Sequence, residues 1–245
     1  MLIEPGLAEG GNWIPSGDFI KGIRKICDKH GWLMIADEVL TGLGRTAEMW
    51  GMDHYKVIPD MLIVGKNLSG GIAPCAGVAT RDEILGNNPS ASSGSTFAGT
   101  PAGCAAGLKT LEIYNRDKVI DHAKKLAQIA KLRMEPWCEK YSIVSETRQL
   151  GLLMGISFNL PDSFASSDKY DDSFVARTVR DYMLRNGVWA ICDSESTVRM
   201  YPALNMDENV FREAFDIIED AIIKVESGSE LVGDYPAIPT GVTGF

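Results

Sequence analysis

The stretch Asp60-Met-Leu-Ile-Val-Gly-Lys-Asn-Leu-Ser-Gly-Gly71 decides the fold. Its apolar run, Met61 to Val64, has the length and branching of a buried strand, and Gly65 closes it. Lys66 follows where the chain leaves the core. Upstream, Trp32-Leu-Met-Ile-Ala-Asp-Glu-Val39 repeats the pattern, with Asp37 as the charged residue at the strand's exit. Open α/β sheets bind ligands in the crevice beyond the carboxyl ends of their strands. A lysine and an aspartate at two such ends are therefore placed to meet over one small molecule.

Before this pair of strands, Phe19, Ile20, Ile23, Ile26 and Cys27 recur at helical spacing behind Ser16 or Asp18 as cap, and Gly31 stands where a helix stops. A helix between strands means parallel strands joined by crossovers. Residues 1–4 and 76–80 read as further strands. Residues 98–114 read as a helix dense in alanine and glycine, a texture that suggests close backbone approach to a neighbour. Val119, Ala123, Leu126, Ala130 and Met134 form the apolar stripe of a long helix over 118–141, with Pro136 placed to kink it. Two β-like runs follow within 142–159, then a polar loop over 161–173 and a helix over 174–185 stopped by Gly187. A strand over 197–201 precedes a last helix capped by Asp207. That helix gathers Val210, Phe211, Ala214, Phe215, Ile218, Ala221 and Ile222 on one face. The expected organisation is a parallel α/β part over residues 1–118 and a smaller α+β part over 119–245. An exposed tail begins at about residue 227.

A length of 245 residues with 45% hydrophobic content suits a globular chain with a real core. The 24 basic and 33 acidic side chains leave a formal charge of −9 and no basic run, which argues against nucleic-acid binding. No apolar run approaches the roughly 20 residues of a membrane span. Five widely spaced cysteines, with no Cys-x-x-Cys pair, argue against a disulfide framework or a zinc site and favour a reducing cytoplasmic setting.

A strand-end lysine is ordinarily a surface cation. It forms a Schiff base with a carbonyl only when its amine is neutral, which an apolar setting of Val64, Leu68 and nearby glycines would encourage. Asp37 either caps the next turn or keeps a pyridine nitrogen protonated, making the ring an electron sink. Val39 would share Asp37's face of the strand and press on such a ring. Gly94-Ser95-Thr96, directly before the helix beginning near Ala98, is either an ordinary cap or a phosphate site. Arg199, among apolar neighbours, requires a partner. A substrate carboxylate or an internal acid such as Glu9, in its glycine-containing loop, would serve.

Three segments resemble, in order, the class III pyridoxal-phosphate aminotransferases. They are Asp37-Glu-Val-Leu-Thr-Gly-Leu-Gly-Arg-Thr46, Ile63-Val-Gly-Lys66 followed by Ser69-Gly-Gly71, and Gly94-Ser-Thr-Phe-Ala-Gly-Thr-Pro-Ala-Gly-Cys-Ala-Ala106. Glu4-Pro5, Glu9-Gly-Gly11 and Val198-Arg-Met-Tyr-Pro202 match the same pattern. The resemblance implies fold type I, a mostly parallel sheet with flanking helices plus a smaller C-terminal α+β domain. It implies pyridoxal 5′-phosphate as cofactor, an amine donor, an oxo-acid acceptor, and a homodimer with shared active sites. Lys66 would hold the cofactor and shuttle the proton; Asp37 would pair with the ring nitrogen and Val39 pack on the ring. Ser95 and Thr96 would bind the phosphate of the neighbouring subunit's cofactor. Arg199 would bind the acceptor's α-carboxylate, and Glu9 would pair with Arg199 when the donor carries no carboxylate there.

Leu40 stands where many members have glutamine, and Ala47 follows Gly44-Arg-Thr46 where glycine is common. Members are usually much longer. The first strands, the same-subunit glycine-serine phosphate loop and the aromatic residue stacked on the cofactor are missing here, so the expectation is a truncated or split form with an exposed sheet edge. Decarboxylase, racemase and aminomutase chemistry share the same apparatus. An inactive chain acting as an assembly partner is the alternative outside catalysis.

Overall fold

The structure, a computed structural model, describes residues 1–85, 96, 98–160, 172–192 and 196–229. The expectations for the polar loop over 161–171, for Ser95 and for the tail from 230 lie outside the described residues.

Among the described residues, two four-stranded sheets organise the chain. The first has the order β1 (Leu2–Ile3), β2 (Ile35–Asp37), β3 (Met61–Val64), β4 (Gly77–Thr80). The first three strands are parallel, with Leu2 beside Ile35 and Asp37 beside Ile63. β4 returns antiparallel to β3, after a connection in which Gly70 and Gly71 both take positive φ. The sheet is thus mixed at one edge.

Helix α1 (Gly17–His30) makes the crossover into β2. Of the two candidate caps, Ser16 caps it, accepting from the Phe19 amide at 3.2 Å, and Gly31 ends it at φ 64°. Only Ile20 and Cys27 of its apolar stripe are fully buried; Phe19 and Ile26 are exposed. Ile20, Cys27, Met34, Ala36, Met52, Tyr55 and Val57 make a small core under this sheet.

Helix α2 (Pro101–Arg116) begins three residues later than the sequence suggests, with Thr100 as cap and Pro101 at a position that needs no amide donor. Its glycines do the expected work. A Cβ on Gly103 would lie 2.9 Å from the Pro74 carbonyl, and one on Gly107 3.5 Å from the Leu68 carbonyl. The helix therefore packs closely on the segment that follows Lys66.

The expected long helix ends earlier, as α3 (Val119–Met134). Pro136 caps a separate turn, Trp137–Lys140. The second sheet is wholly antiparallel, in the order β5 (Val144–Leu150), β6 (Leu153–Phe158), β8 (Thr197–Met200), β7 (Ile191–Cys192). α4 (Asp172–Arg185) packs on it, and α5 (Glu208–Glu226) packs against α4 and α3. Asp207 caps α5 as expected, accepting from the Asn209 and Val210 amides. Phe211, Phe215, Ile218, Ala221 and Ile222 are buried; Val210 is exposed and Val225 takes the inward position instead. The large core runs from this helix through β6 and α3 to Tyr114 and Leu43.

Candidate active site

β2 ends at Asp37, not at Val39. The Asp37 carboxylate accepts from the Val39 amide at 3.0 Å, so the next residues turn out of the strand and Val39 does not share its face. Val39 nevertheless reaches the neighbouring strand end. Its methyl carbons lie 3.6 and 3.7 Å from where a Cβ on Gly65 would stand, and Ala76 lies 3.5 Å from it. Gly65 is therefore a bare backbone floor between Val39 and Ala76, directly before Lys66. Lys66 opens a 3-10 turn, Lys66–Ser69, at φ 42°. A non-glycine residue at positive φ is strained, and such strain gathers at functional positions.

The apolar setting expected for Lys66 is not supplied by the described residues. Its side chain is exposed, and Val64 and Leu68 are only half-buried. What holds the lysine turn is a chain of hydrogen bonds that the sequence did not announce. Asn67 donates to the Tyr114 hydroxyl at 2.6 Å, which donates to the Leu43 carbonyl at 2.8 Å. Burial pushes the Tyr114 phenol up, and it remains a neutral donor at physiological pH.

Glu38 was likewise unforeseen, since a carboxylate inside an apolar run looks like an outward-facing residue. It is almost fully buried, accepting from Thr41 at 2.6 Å and from the Gly51 and Met52 amides at 2.8 Å each. Burial raises its carboxyl, against the lowering effect of those three donors. Glu38 thus closes residues 38–52 into one loop beside Asp37. Arg45 ties that loop to the second sheet, donating to the carbonyls of Pro202 at 2.7 Å and Leu152 at 3.3 Å. Desolvation lowers its guanidinium to about 10.

Thr96 is exposed and lies in a turn four residues ahead of the cap of α2. It is not at the helix N-terminus, where the sequence reading placed it, because Thr100 takes that position and accepts from the Gly103 amide.

Arg199 and Glu9 do come together. The Arg199 side chain is 5% exposed, and its Nη1 lies 3.2 Å from Glu9 Oε2 and 2.9 Å from the Ala8 carbonyl. The Tyr201 hydroxyl is 3.5 Å away and donates to Asn12 at 2.7 Å. Glu9 is mostly in solvent, at 84% exposure, so the pair has one fixed and one free partner.

Sheets with a lysine and a carboxylate at neighbouring strand ends, floored by glycine, suit a planar carbonyl compound. Comparison with known proteins makes the class definite. Residues 1–222 match the family described as aminotransferase class-III. Mitochondrial ornithine aminotransferase of Drosophila melanogaster is 34% identical over 91% of this chain and 49% of its own. Leucine/methionine racemase of Thermococcus litoralis is 31% identical over 96% of this chain and 51% of its own. The crystal structure of acetylornithine aminotransferase from Elizabethkingia anophelis superposes with a TM-score of 0.80 at 32% identity, over 91% of this chain and 56% of that one. Ornithine aminotransferase from Toxoplasma gondii, described as holding pyridoxal phosphate at its active site at partial occupancy, gives 0.81 at 28% identity over 94% and 51%.

The chain belongs to the class III aminotransferase family, and its architecture is that of fold type I transferases. It spans about half the length of the curated relatives it matches.

Proposed function

We propose that this chain carries the lysine and carboxylate-binding part of a pyridoxal-phosphate-dependent aminotransferase. Such an enzyme moves an amino group from an ω-amino acid or amine to an oxo acid such as 2-oxoglutarate or pyruvate. The observation that carries the reading is the placement of Asp37, Val39 and Lys66 at the ends of adjacent strands, around the glycine floor at Gly65.

Gly65 leaves open backbone for a flat ring between Val39 and Ala76, and Asp37 and Lys66 supply the carboxylate and the amine that the cofactor takes. When bound, it supplies an aldehyde that condenses with amines and a ring that takes up the electron pair left at the neighbouring carbon. Lys66 supplies the amine that holds the aldehyde, and carries the proton to and from the substrate carbon. Asp37 would keep the proton on the ring nitrogen, and Val39 would pack on the ring. Ser95 and Thr96 would give hydroxyls to the phosphate held by a neighbouring copy, in a homodimer with shared sites. Arg199 takes the acceptor's carboxylate, and Glu9 takes Arg199 when the donor leaves it unoccupied.

We divide the chain at residue 118. Lys118, at φ 53°, interrupts the run from α2 to α3 and supports that boundary, although packing through Tyr114 and Leu43 crosses it. Among the described residues no helix is long and apolar enough to cross a membrane. Five free cysteines support a cytoplasmic setting. The racemase relative favours one second reading, in which the same lysine returns the proton to the opposite face of the substrate carbon.

The test is to add pyridoxal phosphate to the purified chain, reduce with borohydride, and map the modified peptide. Label concentrated on Lys66, and lost in Lys66→Ala, is the expected result. Label spread over surface lysines would refute the site.

A further inference from the structure

Two buried arginines of the second sheet hold one short loop, residues 7–13, from two sides. Arg199 on β8 binds its first half through the Ala8 carbonyl and Glu9. Arg148 on β5 binds its second half: Nε donates to the Gly11 carbonyl at 2.9 Å, and the guanidinium carbon sits 4.0 Å from the centre of a Trp13 ring. The rest of Arg148 is anchored to the sheet. It donates to Ser157 at 2.5 Å and Thr197 at 3.2 Å and pairs with Glu146. Trp13 in turn donates its indole N–H to the Gly10 carbonyl at 2.7 Å. Reciprocal amide–carbonyl bonds of 2.8 and 2.9 Å between Leu7 and Trp13 close the loop at its base.

The loop presses on the sheet at Gly155, where a Cβ would lie 2.9 Å from the Gly11 carbonyl. Asn12, fully buried at φ 58°, fixes that contact by donating to the Met154 carbonyl at 2.6 Å. Glu9 is the residue of this otherwise tied loop whose carboxylate remains largely in water. Its access to Arg199 depends on how firmly the loop is held.

We propose that Arg148 and Trp13 form a clamp that sets how strongly Glu9 competes for Arg199, making both positioning residues for carboxylate selection. The proposal rests on the reading of Arg199 as the carboxylate site. An intramolecular competitor acts through its effective concentration, which falls as the segment carrying it gains freedom. With the clamp intact, Glu9 stays beside Arg199 and an incoming carboxylate must displace it. With the clamp loosened, Glu9 spends less time there and the carboxylate binds more tightly. Glu9 is solvated, so the change is expected to be roughly two- to fivefold.

Glutarate titrated into the isotopically labelled full chain, followed by the amide shifts of Thr197 to Met200, reads this directly. Trp13→Leu, at a half-exposed position, is the main variant. Arg148→Lys, which keeps the charge beside Glu146 but not the forked contacts, is the second. Each is made with Glu9 and with Glu9→Gln, as a double-mutant cycle. The expected result is a Kd lowered roughly two- to fivefold by either variant when Glu9 is present, and unchanged when it is glutamine. Equal effects in both backgrounds, or none in either, overturn the clamp alone. Glutarate binding that is absent, or that Arg199→Lys leaves unchanged, overturns the carboxylate site and the clamp with it.

Discussion

Asp60 shows how one side chain can hold a strand end in place. Its carboxylate accepts from the Met34 amide and Arg24 at 2.8 Å each and from Arg81 at 3.1 Å, locking the start of β3 to the start of β2. Burial pushes its carboxyl up, but the Met34 amide and the two guanidinium groups outweigh it and leave the value below the usual 3.8. A depressed folded pKa adds stability that is present above 3.8 and is lost as pH falls through the folded value. Asp60→Asn should therefore cost ~1–3 kcal/mol at pH 7. The difference from the parent should shrink in urea titrations at progressively lower pH. A difference that stays constant down to the acid limit would remove the ionic explanation.

Gly151 is the other residue on which much depends. It sits at φ 62°, and a Cβ there would be 2.0 Å from the Thr46 carbonyl carbon, inside the loop that Arg45 ties to the second sheet. Gly151→Ala must displace backbone and not merely a side chain. A loss of at least ~1–3 kcal/mol in chemical denaturation is expected, with the Arg45 contacts broken.

Among the elements, α5 brings the aromatic side chains Phe211 and Phe215 to the larger core. Phe215 packs its ring 5.1 Å from Phe211 and 5.9 Å from Trp137, joining the last helix to the turn after α3. Phe215→Ala should destabilise the fold by about 3–5 kcal/mol, read as a shift in denaturation midpoint. A cost below ~1 kcal/mol would mean that the cavity refills and the packing is looser than its burial implies. The first sheet is held differently. Among the described residues β1 pairs only with β2 and β4 only with β3, and Leu2 and Val78 on those edge strands are exposed.

At the scale of the whole molecule, Phe19, Ile26 and Trp32 add to Leu2 and Val78 a set of exposed apolar side chains around the first sheet. Unpaired edges with apolar side chains template association with other chains. The purified chain should self-associate with rising concentration in sedimentation velocity, and Leu2→Lys with Val78→Lys should reduce it. A monomer throughout the accessible range, in parent and variant alike, would show that this surface is inert.

Local rules settled much of this protein in advance. Period and punctuation placed β3, α1 and α5, and capping chemistry identified Asp207 and narrowed the cap of α1 to Ser16 or Asp18, because those signals act within a few residues. Their places at strand ends singled out Lys66 and Asp37, and its apolar neighbours singled out Arg199. Short-range rules did not place the N-terminus of α2 at Thr100 and not near Thr96, or turn Val39 off its strand. Both depend on which hydroxyl or carboxylate wins a given amide. Contacts between distant residues lay further out of reach. Glu38 closing its loop, Tyr114 bracing the lysine turn, and Arg148 meeting Gly11 across 137 positions exist only because folding brings those segments together. Sequence alone determined most of the elements, through periodicity, and the family, through motif order. Tertiary structure decided how the site residues are held, since a buried polar group is satisfied by whatever the fold places beside it.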